Sequence, residues 1–175
     1  LKDKAASMER RQLAKTGMLR SAHMLGNEEE IIFTATDLLA DTKLAPELSN
    51  EAHYYRAKAY LDAGKTDGAM EDLKILAKDT RNVYGAEAKY KVAQIYFDGG
   101  QTDKAEQEVL NYIEVSTPHT YWLARSFVLL ADVYMKLGRN LDAKQYLLSL
   151  KQNYQADDDI AGMIESRLEK LKTEN

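Results

Sequence analysis

The chain has 175 residues, a length that suits one domain or one run of short repeats. Apolar residues make up 45% of it, and 24 basic and 28 acidic side chains give a net charge of −4. This mixed, mildly acidic surface gives no electrostatic reason to expect nucleic acid as a partner. The absence of cysteine excludes disulfides, thiolate zinc sites and cysteine nucleophiles. No apolar run approaches the ~20 residues of a membrane helix, so direct membrane insertion is not expected.

The first predicted unit, residues 4–45, is the least regular of four. Its leading stretch from Lys4 to Leu25 carries apolar residues at 3- and 4-residue spacing, which predicts an amphipathic helix. Gly26 predicts the end of that helix, and Asn27 is a suitable cap for the next one. The unit lacks the tyrosine that later units have at the matching position, and terminal repeats are often atypical in this way.

Three regular units follow, at residues 46–82, 83–117 and 118–154. In each, a small residue is followed by a tyrosine, a glycine, an alanine and two apolar residues at fixed spacing. The residues are Ala57, Tyr60, Gly64, Ala69, Leu73 and Leu76; Ala93, Tyr96, Gly100, Ala105, Val109 and Tyr112; and Ala131, Tyr134, Gly138, Ala143, Leu147 and Leu150. The spacing predicts a helix on each side of the glycine, and the glycine predicts a left-handed turn between them. Each unit is therefore predicted to be an antiparallel helix hairpin.

Polar residues predict where the second helices and the last helix begin. Thr66, Thr102 and Asn140 each stand two positions after a turn glycine and are predicted to cap a second helix. Asp157–Asp159 precede a final apolar pattern, which predicts a capping helix over residues 157–172 with acidic groups at its positive end. A calcium loop would need alternating oxygen ligands, a central glycine and a closing glutamate, and a helix cap is the favoured interpretation of these aspartates. The outer face of this helix is predicted to carry Glu165, Arg167, Glu169 and Lys170.

The recurring pattern resembles the tetratricopeptide repeat family, closely over residues 50–154 and loosely over residues 12–46. It departs from the family in a period longer than the usual ~34 residues. It also departs early in the first helices, where His53, Lys89 and Phe127 stand at a position that is commonly aromatic. The resemblance implies an all-α solenoid of about nine helices, wound as a right-handed superhelix. A weaker similarity to bacterial envelope members of the family slightly favours the periplasm or cell envelope over the cytoplasm.

The resemblance also implies that first helices line the inner face of the superhelix, where a partner would bind. Tyr54, Tyr90, Phe97 and Met135 would then form an apolar and aromatic stripe flanked by charges, as is typical of peptide grooves. The alternative is that one or more of these side chains belong to the core, and for the tyrosines the two interpretations are close to balanced. The predicted groove residues are Glu51, Tyr54, Lys58, Leu61, Glu87, Tyr90, Gln94, Phe97, Arg125, Asp132 and Met135.

The sequence offers little support for catalysis, a cofactor or a metal. Gly64-Lys65-Thr66 resembles the end of a phosphate-binding loop, but the glycine required five positions earlier is Ala59, inside a predicted helix. His23, His53 and His119 are isolated and lack the spacing of zinc ligands. No nucleophile motif is present. We therefore expect neither an enzyme nor a metal or cofactor site.

Two functional hypotheses follow. The first is a non-catalytic scaffold that presents a concave groove to a peptide or a partner protein. The second is a terminal segment of a longer repeat array, used for self-association or for docking other domains. Because the chain opens at Leu1 and not at a methionine, we expect it to be a piece of a longer protein. A weak homo-oligomer would favour the second hypothesis.

Overall fold

Nine α-helices make up the ordered secondary structure of a computed structural model that describes residues 2–173, with side chains from Ala6 onward. Within these residues no strand occurs, in agreement with the predicted all-α fold. The helices are α1 (Lys2–Met24), α2 (Glu28–Leu39), α3 (Pro46–Asp62), α4 (Thr66–Leu76), α5 (Val83–Asp98), α6 (Thr102–Glu114), α7 (Thr120–Lys136), α8 (Asn140–Asn153) and α9 (Ile160–Thr173). Leu1, Glu174 and Asn175 of the predicted 1–175 array lie outside the described residues. The right-handed superhelix stays a prediction.

A glycine in the left-handed conformation separates the two helices of each hairpin. The four φ angles lie between +65° and +74°, at Gly26, Gly64, Gly100 and Gly138. In the three regular hairpins, the residue after the glycine donates its N–H to the carbonyl of the tyrosine four positions before that glycine. The bonds are Lys65 to Tyr60 at 2.7 Å, Gln101 to Tyr96 at 2.8 Å, and Arg139 to Tyr134 at 2.8 Å. This is the Schellman arrangement, and it explains the spacing from tyrosine to glycine.

The predicted caps of the second helices are wrong at all three positions. Thr66, Thr102 and Asn140 are already the first helical residues of α4, α6 and α8. In α6 and α8 the capping positions are held by Gln101 and Arg139, without a side-chain cap. The reason is that the residue after the turn glycine bonds to the end of the first helix and directly precedes the first residue of the second helix. Asn27 does cap as predicted, because its Oδ1 accepts the N–H of Glu30 at 3.1 Å.

The chain divides into two compact units, which are described separately. Unit 1 is Leu1–Leu76 and holds α1 to α4. Within it, α1, α2 and α3 pack against one another, and α4 packs on α3. Small side chains such as Ala35, Ala52 and Ala59 are almost fully buried, which allows close helix crossings. Leu19 and Leu38 fill the space between them.

Unit 2 is Ala77–Asn175 and holds α5 to α9. Its first helices α5 and α7 pack together, and α9 packs on both α7 and α8. Of the apolar pattern that predicts the last helix, Ile160, Ile164, Leu168 and Leu171 are buried and Met163 is half-buried. The aspartates before it act as predicted, since Asp158 Oδ1 accepts the N–H of Ile160 at 2.9 Å. This helix therefore covers the apolar end of the hairpin α7–α8.

One contact recurs inside the three regular hairpins, between a first-helix residue and the residue 19 positions later. In unit 1, His53 Nδ1 lies 2.7 Å from Asp72 Oδ1. In unit 2, Lys89 Nζ donates to Glu108 Oε2 at 2.9 Å, and the rings of Phe127 and Tyr146 lie 6.0 Å apart. The position that is commonly aromatic in the family thus holds two polar pairs and one aromatic pair here.

Candidate partner-binding face

The predicted groove residues of unit 2 belong to the surface of α5 and α7, and four of them, Tyr90, Gln94, Arg125 and Asp132, line one cleft there with Arg167 of α9. We call this surface the first-helix face. It consists of Tyr90, Gln94, Phe97, Arg125, Asp132, Met135 and Arg167. Glu87, which the sequence also assigned to the groove, is half-buried on α5.

Tyr90 lies in the core of unit 2 and is only 6% exposed. Its ring packs 5.7 Å from that of Trp122 and 5.0 Å from the guanidinium carbon of Arg125. Its hydroxyl donates to Gln94 Oε1 at 2.8 Å, and Gln94 Nε2 donates to Asp98 Oδ1 at 2.8 Å. For this tyrosine the core interpretation is therefore the one that the structure supports, and its ring does not serve as an exposed anchor.

Arg125 connects α7 to α5 and to the start of α9. It donates to the hydroxyls of Tyr121 at 3.0 Å and Tyr90 at 3.2 Å, and lies 3.4 Å from an oxygen of Asp159. Burial opposes its charge, yet the hydrogen bonds to the two phenol oxygens raise its pKa above the usual value. This arginine is a fixed positive charge on the first-helix face.

Asp132 is held by the last helix. Arg167 Nε and Nη2 donate to its two carboxylate oxygens at 2.8 and 2.7 Å, and both side chains are a quarter exposed. Between this pair, Gln94 and Arg125 lies a small cleft of about 130 Å³. Arg167 was predicted to lie on the outer polar face of α9, and that assignment is wrong because it turns toward Asp132. The cleft is therefore polar and largely self-paired.

Phe97 and Met135 are the half-buried apolar residues of the first-helix face. Both pack against the core of unit 2 with part of their surface open. The ammonium group of Lys136, an exposed residue, lies 5.0 Å from the ring centroid of Phe97. An aromatic ring with a positive charge beside it, and a flexible thioether on the adjacent helix, are suited to contacting a partner chain.

In unit 1 the predicted groove residues have mixed environments. Glu51 is 8% exposed because Arg20 donates to both its oxygens, at 2.6 and 2.8 Å. Tyr54 and Leu61 are half-buried, and the exposed Lys58 places its ammonium group 5.7 Å from the Tyr54 ring centroid. Glu51 is thus an internal link from α3 to α1.

Three residues were not assigned to this region from the sequence. Trp122 reaches it from the start of α7, Asp159 from the segment before α9, and Arg167 from α9 itself. Trp122 packs edge-on against Tyr121 at 5.0 Å, so it contributes to packing inside unit 2. A signal for Arg167 did exist, since it stands 35 positions after Asp132, close to one repeat period. Extending the repeat register into the last helix would have paired the two.

The remaining chemistry of the described side chains is limited. Among them, no group of three histidine, aspartate or glutamate residues could hold a metal ion. Gly64 and Lys65 lie in the turn from α3 to α4, and Thr66 is the first residue of α4. None of the helices across residues 2–173 is both long and apolar enough to cross a bilayer.

Comparisons with known proteins agree with this architecture. Family models described as tetratricopeptide repeat match residues 51–79 and residues 124–152. No curated protein sequence matches the chain significantly. Two similar solved structures are crystal structures of nearly identical TPR-like repeats from a Podosopora anserina protein described as a kinesin light chain. They are 16% identical, with TM-scores of 0.58 and 0.56, and the alignments cover 93% of this chain and 93% and 94% of theirs. At this identity the similarity concerns the fold.

Proposed function

We propose that this chain, a tetratricopeptide repeat protein, is a non-catalytic scaffold that binds a segment of another protein on the first-helix face of unit 2. The observation that carries the proposal is the pairing of two kinds of surface there. Phe97 and Met135 offer open apolar area, and the neighbouring cleft between Asp132 and Arg125 offers fixed charges of both signs.

The polar part of the face supports binding without chemistry. Each charged group has an internal partner: Arg167 for Asp132, and two phenols and Asp159 for Arg125. Such groups are held in one geometry, which lowers the entropy that a partner must remove on binding. Hydrogen bonds from a peptide backbone can add to this network at its open edge.

The apolar part supplies the anchor. Truncation of a well-packed aromatic or methionine contact usually costs more binding free energy than loss of a surface charge. Phe97 and Met135 are the residues to test, because Tyr90 is buried in the core and its removal would damage the fold. Of the predicted apolar and aromatic stripe, the half-buried Phe97 and Met135 therefore remain as the candidate anchors in unit 2.

The test is the recovery of partner proteins by the full-length protein in an extract of its source cells. Phe97→Ala with Met135→Ala is expected to reduce the recovery of bound proteins at least about tenfold, because two central contacts are lost. The matched control is Leu110→Ala with Val115→Ala, which truncates two exposed apolar residues of α6 and its end. Equal recovery by both double variants would show that the partner does not use this face.

The second hypothesis is favoured by a different observation, on α1. Leu13, Met18 and Met24 of α1, and Leu25 directly after it, are large apolar residues that are 52% to 85% exposed. A patch of exposed large apolar side chains commonly marks a protein contact. Self-association through α1 would bury it against the same patch of a second copy, as in an isologous dimer.

Sedimentation equilibrium tests self-association through α1. If it occurs, the wild type dimerises in the micromolar range, and Met18→Glu is expected to weaken dimerisation at least about tenfold because it buries an unpaired charge. Phe33→Glu is the matched control, since Phe33 is an exposed apolar residue of α2. A wild type that stays monomeric at every concentration would exclude this hypothesis.

A further inference from the structure

A second groove of unit 2 lies between α8 and α9, away from the first-helix face. Its apolar floor is formed by Leu148, which is 46% exposed, together with Leu168 and Leu171. Its volume is about 250 Å³. Leu141, one heptad before Leu148 on α8 and 80% exposed, extends the apolar stripe along the helix.

The rim of this groove is basic. Lys144, Lys151 and Lys172 surround the leucine floor, and Glu165 is the acidic residue among its lining. Lys151 pairs with Glu165 at 2.5 Å and Lys172 with Glu169 at 3.0 Å, whereas Lys144 has no ion-pair partner among the described side chains. The rim therefore carries a net positive charge on a protein whose overall charge is −4.

The preceding hairpin shows what these positions do when another complete hairpin follows. Six, ten and thirteen residues after the turn glycine, α6 carries Glu106, Leu110 and Ile113. Glu106 pairs with Arg139, the residue before α8, at 3.2 Å, and Ile113 packs against the core of unit 2. This side of a second helix is thus a place where the next hairpin docks.

In α8 the same three positions hold Lys144, Leu148 and Lys151. The central leucine is retained, while glutamate and isoleucine are replaced by lysines. A helix that followed α9 as α8 follows α7 would bring the residue before it to Lys144, just as Arg139 before α8 meets Glu106 of α6. The sign of the favourable contact is reversed, so an incoming helix needs a carboxylate at that point.

We propose that the groove between α8 and α9 binds an acidic amphipathic helix of a partner protein. Leucine-like side chains of that helix enter between Leu148 and Leu168, and carboxylates meet Lys144 and Lys172. This is the helix-in-groove mode of recognition, in which apolar anchors give affinity and the charged rim sets orientation and partner choice. The site is separate from the first-helix face, so each can be tested without the other.

The probe is a fluorescein-labelled helical peptide of about 18 residues with leucines at the i, i+3, i+4 and i+7 spacing and glutamates beside them. Its matched partner has lysine at every glutamate position. Fluorescence anisotropy with the full-length protein is expected to show binding of the glutamate peptide at least about tenfold tighter than of the lysine peptide. No binding, or equal binding of the two peptides, would overturn the proposal.

A charge exchange locates the site. Lys144→Glu with Lys151→Glu is expected to reverse the preference, so that the lysine peptide becomes the tighter ligand. Lys78→Glu, an exposed lysine in the loop before α5, changes the net charge without touching the groove and should leave the preference intact. If Lys78→Glu also reversed the peptide preference, the effect would come from the net charge of the protein, and the proposed site would be wrong. A dimer that forms through the groove and excludes both peptides would assign it to a second copy instead.

Discussion

Replacement of Asp72 by alanine is expected to lower the free energy of unfolding of unit 1 by about 3–5 kcal/mol, the range for breaking a buried ion pair on one side. The carboxylate is 1% exposed and accepts bonds from Arg56 Nε at 2.8 Å and Nη2 at 2.7 Å, beside the contact with His53. Without it, the largely buried guanidinium of Arg56 keeps its charge and loses its partner. Urea unfolding followed by far-UV circular dichroism measures the difference.

The control for this prediction is Asp62→Ala. Asp62 is exposed at the end of α3, so its loss is expected to change the free energy of unfolding by no more than about 0.5 kcal/mol. A loss below about 1 kcal/mol in Asp72→Ala would contradict the prediction, because it would mean that the polar cluster contributes no more than a surface pair.

The same cluster gives a pH dependence with a defined sign. Burial by itself would raise the pKa of Asp72, but hydrogen bonds from Arg56 and His53 hold it below its usual value. A carboxylate with a lowered folded-state pKa contributes its full stabilisation above the unfolded-state pKa of about 3.9 and loses it as the pH falls through the folded-state pKa. The stability difference between wild type and Asp72→Ala should therefore be full at neutral pH and shrink on acidification below about pH 4.

The helix hairpins could be predicted because their signals are local. A tyrosine carbonyl that receives a bond across a left-handed glycine requires a fixed spacing, and the sequence shows it three times, for example from Tyr96 to Gly100. Alanines at helix crossings, such as Ala105 and Ala143, are fully buried as their phase predicts. These features depend on neighbours within one hairpin, which the chain order supplies.

The environment of the face residues could not be predicted in the same way, because it depends on neighbouring helices. Tyr90 and Phe97 occupy equivalent faces of α5, yet Tyr90 is buried beneath Arg125 and Trp122 of α7, while Phe97 stays half-open. Asp132 has a predicted position on α7, but its pairing depends on an arginine of α9. The position of a residue in the repeat predicts the helix face on which its side chain lies. Whether that side chain is buried depends on the adjacent helix.

The side-chain pairs between the two helices of a hairpin could have been predicted from the sequence by comparing residues across the hairpin. His53 was interpreted as an isolated histidine because each position was considered alone. Its partner, Asp72, stands 19 residues later. The same offset joins Lys89 to Glu108. A search for complementary residues at one constant offset across the repeats would have found both pairs, because the hairpin geometry repeats even where residue types change.

The second large effect is expected for Leu130→Ala in α7, which should lower the free energy of unfolding of unit 2 by about 2–5 kcal/mol. Leu130 is fully buried in the main cluster of that unit, among residues such as Val133 and Leu147. The loss combines the transfer free energy of the removed atoms with the cost of a cavity that a close-packed interior fills poorly. Urea unfolding followed by circular dichroism measures it.

Leu141→Ala is the matched control, because the same atoms are removed from a leucine that is 80% exposed on α8. Its effect should stay within about 0.5 kcal/mol. Leu130 stands at the repeat position that Val92 holds in α5 and Arg56 holds in α3. One position thus serves apolar packing in unit 2 and a buried ion pair in unit 1, so Leu130→Ala should lose stability equally at neutral and acid pH, whereas Asp72→Ala should not. A pH-dependent loss in Leu130→Ala would contradict this division.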